Sequence, residues 1–138
     1  MTLHAYTDGA SRGNPGESGI GIIVRNEKGE QILRLGAYIG LATNNLAEYA
    51  ALLTLLKKVK NINCQRLIVH SDSELMVRQL NGEYRIKNKE IGKYYREIQE
   101  ILHTSNFAFE IRHVPRETNH EADQLANEGI ESRTRLEG

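Results

Sequence analysis

The sequence of 138 residues lacks the features that mark secreted and membrane proteins. Cys64 is the only cysteine, which excludes an internal disulfide and a cysteine-based zinc site. The first ten residues, MTLHAYTDGA, have neither a basic start nor an apolar core, so they do not resemble a signal peptide. No apolar run approaches the roughly 20 residues that a membrane-spanning helix needs. We therefore expect a cytoplasmic protein that does not bind membranes.

There is also no excess of either charge. The 18 Lys and Arg residues balance 18 Asp and Glu residues, so no overall field attracts the protein to nucleic acid. A polyanionic partner would have to be bound by a local basic patch or by metal ions. The length and the 39% apolar content are typical of one globular domain. We expect this domain at residues 1–131, followed by a polar, disordered tail at 132–138, and no obligate protein partner.

The hydrophobic pattern predicts alternating strands and helices. The predicted strands are 2–8, 19–26, 31–40, 66–72 and 107–114, and the predicted helices are 44–58, 73–80, 89–102 and 119–129. Asn119 is predicted to cap the last helix. Three consecutive strands followed by βα crossovers indicate an α/β protein with a mixed sheet and helices on both faces.

The stretch 9–21 contains five glycines, and its part between the predicted strands, 9–18, is predicted to be a loop. Glycine increases the entropic cost of folding, so such a stretch is either an ordinary turn or a place where the backbone closely approaches something else.

Four carboxylates lie where this fold would bring them together. Asp8 and Asp72 end predicted strands, where open α/β sheets have their binding crevices. Glu48 and Asp123 lie in the first turns of predicted helices, although Glu48 has an alternative role in a capping box with Asn45. Converging carboxylates cannot all stay ionised without a cation, and an all-oxygen site suits Mg²⁺ or Mn²⁺. Two such ions about 4 Å apart can catalyse phosphodiester hydrolysis, so the spacing indicates metal-dependent phosphoryl chemistry if the four converge.

Four blocks of the sequence resemble the signature blocks of the type 1 ribonuclease H family, in the family's order. They are TDGASRGNPG, TNNLAEYAAL, HSDSELMVRQLNGEY and HVPRETNHEADQLAN. The resemblance implies a ribonuclease H-like fold with a five-stranded mixed sheet of order 3-2-1-4-5. It implies cleavage of the RNA strand of RNA–DNA hybrids to 5′-phosphate and 3′-hydroxyl ends with two Mg²⁺ ions, for which Mn²⁺ can substitute. It also implies that the metal-binding catalytic residues are Asp8, Glu48, Asp72 and Asp123.

The resemblance further implies a set of substrate-binding residues. Thr43, at the start of a helix, resembles the family's contact to a DNA phosphate, which suits the anion preference of a helix N-terminus. The other residues would line the minor groove, where the 2′-hydroxyl distinguishes RNA from DNA. They are Gly9, Ala10, Ser11, Asn14, Asn44, Asn45 and Glu74. The alternative for 9–21 is a hairpin loop chosen for turn chemistry alone.

The chain departs from the best-known family members in two places. A short segment, NGEYRIKNKEIGKYY, replaces their long basic protrusion, and Arg85, Lys87 and Lys89 in it are expected to contact the substrate. With fewer cations we expect weaker hybrid binding and a shallower salt dependence. A compact HVPRETN segment replaces the loop that carries a mobile histidine. Arg116 and His120 are equal candidates for that histidine's auxiliary role in product release.

Three functions fit the sequence. The first is a ribonuclease H that acts on RNA–DNA hybrids. The second is a nuclease of the same fold that prefers double-stranded RNA, for which the neutral charge leaves room. The third is a non-catalytic nucleic-acid-binding module, and the four intact carboxylates argue against it because buried negative charge is hard to retain without metal.

Overall fold

A computed structural model describes residues 1–136 of the chain. The strands are β1 (Thr2–Gly13), β2 (Gly16–Arg25), β3 (Gln31–Ala42), β4 (Arg66–Ser71) and β5 (Ala108–His113). The helices are α1 (Asn44–Val59), α2 (Glu74–Leu80), α3 (Lys89–Thr104) and α4 (His120–Ser132), and a 3₁₀ turn over Arg116–Asn119 precedes α4. In this part of the chain, no helix is long and apolar enough to cross a membrane.

The five strands form one sheet in the order β3-β2-β1-β4-β5, as predicted. β1 pairs antiparallel with β2 and parallel with β4, and β4 pairs parallel with β5. Asp8 and Gly21 are paired across β1 and β2, so they face the same side of the sheet, while Gly9 faces the other. α1 packs at Gly9 and α4 packs at Gly21, which places helices on both faces. The predicted ribonuclease H-like α/β fold is confirmed.

Helix α1 is the centre of the core. Ten of its residues are buried, on several sides of the helix, because it packs between the sheet and α3. α3 is amphipathic and buries Ile91 and Ile98 against this layer. The hydroxyl oxygen of Thr43 caps α1 by accepting a hydrogen bond from the Leu46 N–H at 3.2 Å. The position of α1 is therefore set by both of its faces and by its N-terminus.

The prediction of a loop over residues 9–18 is wrong. β1 continues to Gly13 and pairs with β2 up to a short turn at Asn14 and Pro15. The glycines serve packing: a Cβ at Gly9 would lie 2.2 Å from the carbonyl carbon of Ala47, and other glycines of the hairpin meet α4 in the same way. The backbone does approach something closely, and that neighbour is the protein's own helices.

The described part of the predicted disordered tail contacts the sheet instead. α4 continues to Ser132, and the Tyr38 N–H of the edge strand β3 donates to the Thr134 carbonyl at 2.7 Å. The guanidinium groups of Arg133 and Arg135 lie 5.2 and 4.8 Å from the centroid of the Tyr38 ring. Residues up to 136 thus belong to the folded unit, while 137 and 138 lie outside the described residues.

Candidate active site

Three of the predicted carboxylates converge at one edge of the sheet. Asp8, Glu48 and Asp72 each place one oxygen within 4.8 Å of the others. β1 and β4 are parallel neighbours with Thr7 in register with Ser71, so the residues that follow, Asp8 and Asp72, emerge side by side. Asp8 and Glu48 are both buried, at 4% exposure. The fold thus assembles a buried acidic cluster from three separate elements.

Glu48 reaches this cluster because Gly9 lets α1 approach β1. The Gly9 N–H donates to a carboxylate oxygen of Glu48 at 2.8 Å, which fixes the side chain against the strand. The alternative capping-box role with Asn45 is wrong, because the N-cap of α1 is Thr43 and Asn45 lies inside the helix. The missing Cβ of Gly9 and the hydrogen bond from its N–H both serve the position of Glu48.

Asp123, from the first turn of α4, lines the same cavity of about 390 Å³ as the other three carboxylates. α4 can come this close to the sheet because Gly21 has no side chain. A Cβ at that position would lie only 1.9 Å from the Ala122 carbonyl oxygen. Asn119, at the N-cap position of α4 as predicted, also contributes. Its side chain makes no capping hydrogen bond and instead donates to the Thr7 carbonyl at 2.8 Å, next to Asp8.

The cluster carries uncompensated negative charge. Burial, followed by the charges of Glu48 and Asp72, raises the pKa of Asp8 far above its ordinary value. Burial and the charge of Asp72 likewise raise the pKa of Glu48, partly opposed by the hydrogen bond from Gly9. Among the described residues that line the cavity, Arg116 is the only one with a cationic side chain. Several carboxylate oxygens around one small space, without matching positive charge, fit a hard divalent cation such as Mg²⁺ or Mn²⁺.

Most of the predicted minor-groove residues lie in the β1–β2 hairpin or at the start of α1, whereas Glu74 begins α2. The hydroxyls of Ser11 and Ser18 donate to the Ala42 carbonyl at 2.9 and 3.1 Å, and the Asn14 side-chain oxygen accepts from the Asn44 N–H at 3.1 Å. These contacts tie the turn to the N-terminus of α1. Ser18 is fully buried and was missed by sequence reasoning, since a lone serine in a strand carries no signal of such a contact.

The structure brings only some of the predicted substrate residues to the carboxylates. Those that line the acidic cavity are Gly9, Ala10, Ser11 and Asn44. Those that lie outside its lining are Asn14, Thr43, Asn45, Glu74, Arg85, Lys87 and Lys89. Glu74 pairs with Arg78 at 2.9 Å on the surface of α2.

The three basic residues lie in an exposed segment, 81–89, that is attached to α1 beside the cluster. The Gln79 side chain donates to the Arg85 carbonyl at 3.2 Å and accepts from the Tyr49 hydroxyl at 2.6 Å. Tyr49 follows Glu48 directly in α1, so the backbone of the basic segment is anchored to the helix that carries a cluster carboxylate. The side chains of Arg85, Lys87 and Lys89 stay exposed to solvent.

The two candidates for the auxiliary role face different cavities. Arg116 lines the acidic cavity. His120 lines a second cavity of about 290 Å³, together with Tyr6 and Arg25. Asn127, which sequence reasoning missed, also lines the acidic cavity and lies one helical turn after Asp123.

A mixed sheet in this order, with an acidic cavity formed by Asp8 of β1 and Asp72 at the end of β4, defines a ribonuclease H-like protein. Comparison with known proteins agrees: a family model described as reverse transcriptase-like matches residues 6–129. The chain belongs to the type 1 ribonuclease H family, as its sequence blocks predicted.

Known relatives extend this comparison. The chain is 38% identical to ribonuclease HI of Halobacterium salinarum over 129 residues, which cover 94% of the chain and 64% of that relative. It is 35% identical to bifunctional protein Rv2228c of Mycobacterium tuberculosis, of which it spans 36%. The chain thus spans less than two thirds of these curated relatives. LC11-RNase H1, solved in complex with an RNA/DNA hybrid, superposes with a TM-score of 0.90 at 38% identity, covering 94% of this chain and 97% of that one.

Proposed function

We propose that this protein is a metal-dependent endoribonuclease that hydrolyses the RNA strand of RNA–DNA hybrids to 5′-phosphate and 3′-hydroxyl ends. The convergence of Asp8, Glu48 and Asp72 in one buried cluster carries this proposal. It is supported by the 38% identity to LC11-RNase H1, a protein that binds an RNA/DNA hybrid. A purely structural role would leave the cost of burying these charges unexplained.

The carboxylates of Asp8, Glu48, Asp72 and Asp123 would hold two Mg²⁺ ions, for which Mn²⁺ can substitute. The bound ions would supply the activation of a water molecule and the stabilisation of the leaving oxygen. The protein's own contribution is to hold its carboxylates in place before substrate arrives. Glu48 is held by the Gly9 N–H, and the α4 turn that carries Asp123 is tied to β1 by Asn119.

The substrate side of the cavity would recognise the RNA strand. Main-chain and side-chain groups of residues 9–11, together with Asn14, Asn44 and Asn45, present polar groups to a minor groove, where the 2′-hydroxyl marks RNA. The hydrogen bonds of Ser11 and Ser18 to Ala42 keep these groups fixed relative to one another.

The DNA strand would be bound by Thr43 and the neighbouring N–H groups of α1, which suit a phosphate. The basic residues Arg85, Lys87 and Lys89 would extend this contact from the exposed surface. Glu74, at the start of α2, would instead contribute to the minor-groove contacts, as the resemblance implies.

For the auxiliary role we assign Arg116. Its guanidinium group shares the cavity with the carboxylates, whereas His120 faces another cavity. The positively charged Arg116 would attract the 5′-phosphate of the product away from the cluster.

The test is cleavage of end-labelled RNA–DNA hybrid, double-stranded RNA and double-stranded DNA in Mg²⁺, Mn²⁺ or EDTA. We expect metal-dependent cleavage of the hybrid's RNA strand, lost in Asp8→Asn and retained in Glu128→Gln, an acid-to-amide change at an exposed position of α4. Cleavage of double-stranded RNA at a similar rate would replace the proposed substrate preference. Folded protein that cuts none of the three would be a non-catalytic binding module.

A further inference from the structure

A chain of hydrogen bonds links the β1–β2 hairpin to Asp123 through Asn127. The Asn127 amide nitrogen donates to the Asp123 carbonyl at 3.0 Å and lies 3.4 Å from an oxygen of the Asp123 carboxylate. On its other side, the Asn127 amide oxygen accepts from the Arg12 guanidinium at 3.3 Å. The same guanidinium nitrogen pairs with Glu131 at 2.9 Å. Asn127 is half-buried and lines the acidic cavity.

Asp123 needs such a contact more than the other carboxylates do. It is half-buried and is not one of the three residues whose oxygens lie within 4.8 Å of one another. Glu48 is held by a main-chain N–H, whereas within residues 1–136 the Asp123 carboxylate receives its hydrogen bond from the Asn127 side chain. The direction of the Asp123 side chain therefore depends on its neighbour one turn along α4.

Arg12 reinforces the orientation of the Asn127 amide that the Asp123 carbonyl also favours. A guanidinium group offers only donors, so it must meet the amide oxygen, and the amide nitrogen is then turned toward the carboxylate. Without Arg12 the amide keeps its contact to the Asp123 carbonyl but loses the contact that holds its oxygen end, so its hold on the carboxylate weakens. The hairpin thus influences a cluster carboxylate through two side-chain contacts.

We propose that Asn127 is a positioning residue for the Asp123 carboxylate and that Arg12 orients Asn127. The inference rests on the proposed function in one respect, namely that Asp123 binds the metal. Hydrogen bonds to metal-binding side chains are commonly worth 10–100-fold in metal affinity. Because the contact to the carboxylate is long, we expect a smaller effect, about 3–10-fold, when it is removed.

The test is calorimetric titration of Mn²⁺ into metal-free protein, without substrate. Asn127→Ala should raise the Mn²⁺ dissociation constant about 3–10-fold, and Arg12→Gln should raise it by a smaller factor. The double variant should bind no more weakly than Asn127→Ala, because both changes break one chain of contacts. Glu128→Gln, beside Asn127 but exposed, is the matched control and should bind as wild type does.

Cleavage kinetics give a second readout that a merely structural role would not reproduce. In Asn127→Ala, the Mg²⁺ concentration for half-maximal rate should rise, while kcat at saturating Mg²⁺ and KM for the hybrid stay within about twofold of wild type. Thermal unfolding of each variant in EDTA shows whether it is folded, and the exposed Arg12→Gln provides the test if Asn127→Ala is not.

The inference is overturned if Asn127→Ala, or Arg12→Gln in its place, binds Mn²⁺ within twofold of wild type, or if the two effects simply add. These outcomes can be distinguished from a failure of the proposed ribonuclease activity. A wild-type protein that binds Mn²⁺ but cleaves no hybrid contradicts the proposed activity, and the binding data still decide the role of Asn127. A wild-type protein that binds no Mn²⁺ contradicts both.

Discussion

Replacing Asp8 by asparagine should stabilise the metal-free protein while abolishing cleavage. Asp8 is buried beside Glu48 and Asp72, and each of these charges opposes its ionisation. Asparagine keeps the shape of the side chain, removes its charge and can donate hydrogen bonds to the neighbouring carboxylates. The gain in stability and the loss of function therefore have one cause, the cluster of like charges.

The magnitude follows from the geometry of the cluster. Two unit charges 4.8 Å apart repel by about 0.9 kcal/mol at a dielectric constant of 80 and about 3.5 kcal/mol at 20. Asp8 has two such neighbours, but proton uptake by the cluster relieves part of this repulsion at neutral pH. We therefore take a value near the lower end, a gain of about 2 kcal/mol in the free energy of unfolding. For a chain of this size that is a rise in Tm of about 6–10 °C.

The assay is thermal and urea unfolding at pH 7 in EDTA, with Glu128→Gln as the control for a change of acid to amide on the surface. The control should change the free energy of unfolding by less than about 0.5 kcal/mol. An Asp8→Asn protein that is less stable than wild type, or equal to it, in EDTA would refute the reasoning. Adding Mg²⁺ should narrow the difference in the free energy of unfolding between Asp8→Asn and wild type, because a bound cation stabilises the wild-type cluster more than the variant.

The same cluster sets a pH dependence with a definite sign. The pKa values of Asp8 and Glu48 are raised in the folded state, so between the unfolded and folded pKa values the folded protein binds more protons than the unfolded chain. The stability of metal-free wild type should therefore fall as pH rises from about 4 through neutrality, apart from other titrations. Asp8→Asn should show a shallower fall. Equal slopes for the two proteins would contradict the raised pKa of Asp8.

Three further predictions concern packing, product release and substrate binding. Gly21→Ala should lower the free energy of unfolding by about 1–3 kcal/mol or more, because its Cβ would lie 1.9 Å from the Ala122 carbonyl oxygen. Gly92→Ala, in the open part of α3, should raise the free energy of unfolding by up to about 1 kcal/mol. Urea unfolding measures both, and a loss of stability in both variants would contradict the packing argument. Arg116→Ala should lower kcat while His120→Ala leaves it near wild type, and unchanged turnover in Arg116→Ala would remove Arg116 from the mechanism. Hybrid binding by Asp8→Asn should show a slope of log affinity against log salt concentration of about −3, and adding Lys87→Gln should make this slope shallower by about one. A slope near −10, or no change of slope with Lys87→Gln, would contradict phosphate contact by the short basic segment.

The order of strands and helices was predictable because each element carries its own periodicity. Short apolar runs bounded by turn signals marked strands such as β4, and the all-round apolar surface of α1 marked a helix buried on several sides. Asp72 was predictable because a charged residue directly after a buried strand is conspicuous. Asp8 was found by the same argument, although β1 continues beyond it to Gly13. Asp8, Asp72 and Asp123 are also the only aspartates in the chain, and all three line one cavity.

Other features could not be predicted because they depend on contacts between distant segments. The five glycines of 9–21 signalled close approach, but nothing local showed that Gly9 meets α1 and that Gly19 and Gly21 meet α4. Asn127 and Ser18 are ordinary polar residues whose roles appear only once the hairpin lies beside the two helices. Arg116 and His120 lie four residues apart, and only the 3₁₀ turn between β5 and α4 directs them toward different cavities.

Gly9 and Gly21 explain how this fold can contain a cluster of like charges that destabilises the folded protein. Gly9 and Gly21 remove the side chains that would keep α1 and α4 away from the sheet, so the helix backbones that carry Glu48 and Asp123 close on β1 and β2 from opposite faces. The packing that these two contacts permit is extensive, since α1 is the centre of the core. The close approach of α1 at Gly9 and of α4 at Gly21 therefore produces both the favourable burial of apolar surface and the unfavourable convergence of charge. Because they cannot be separated, a change that relaxes either approach should disturb metal binding and stability together, whereas a charge change such as Asp8→Asn should move them in opposite directions.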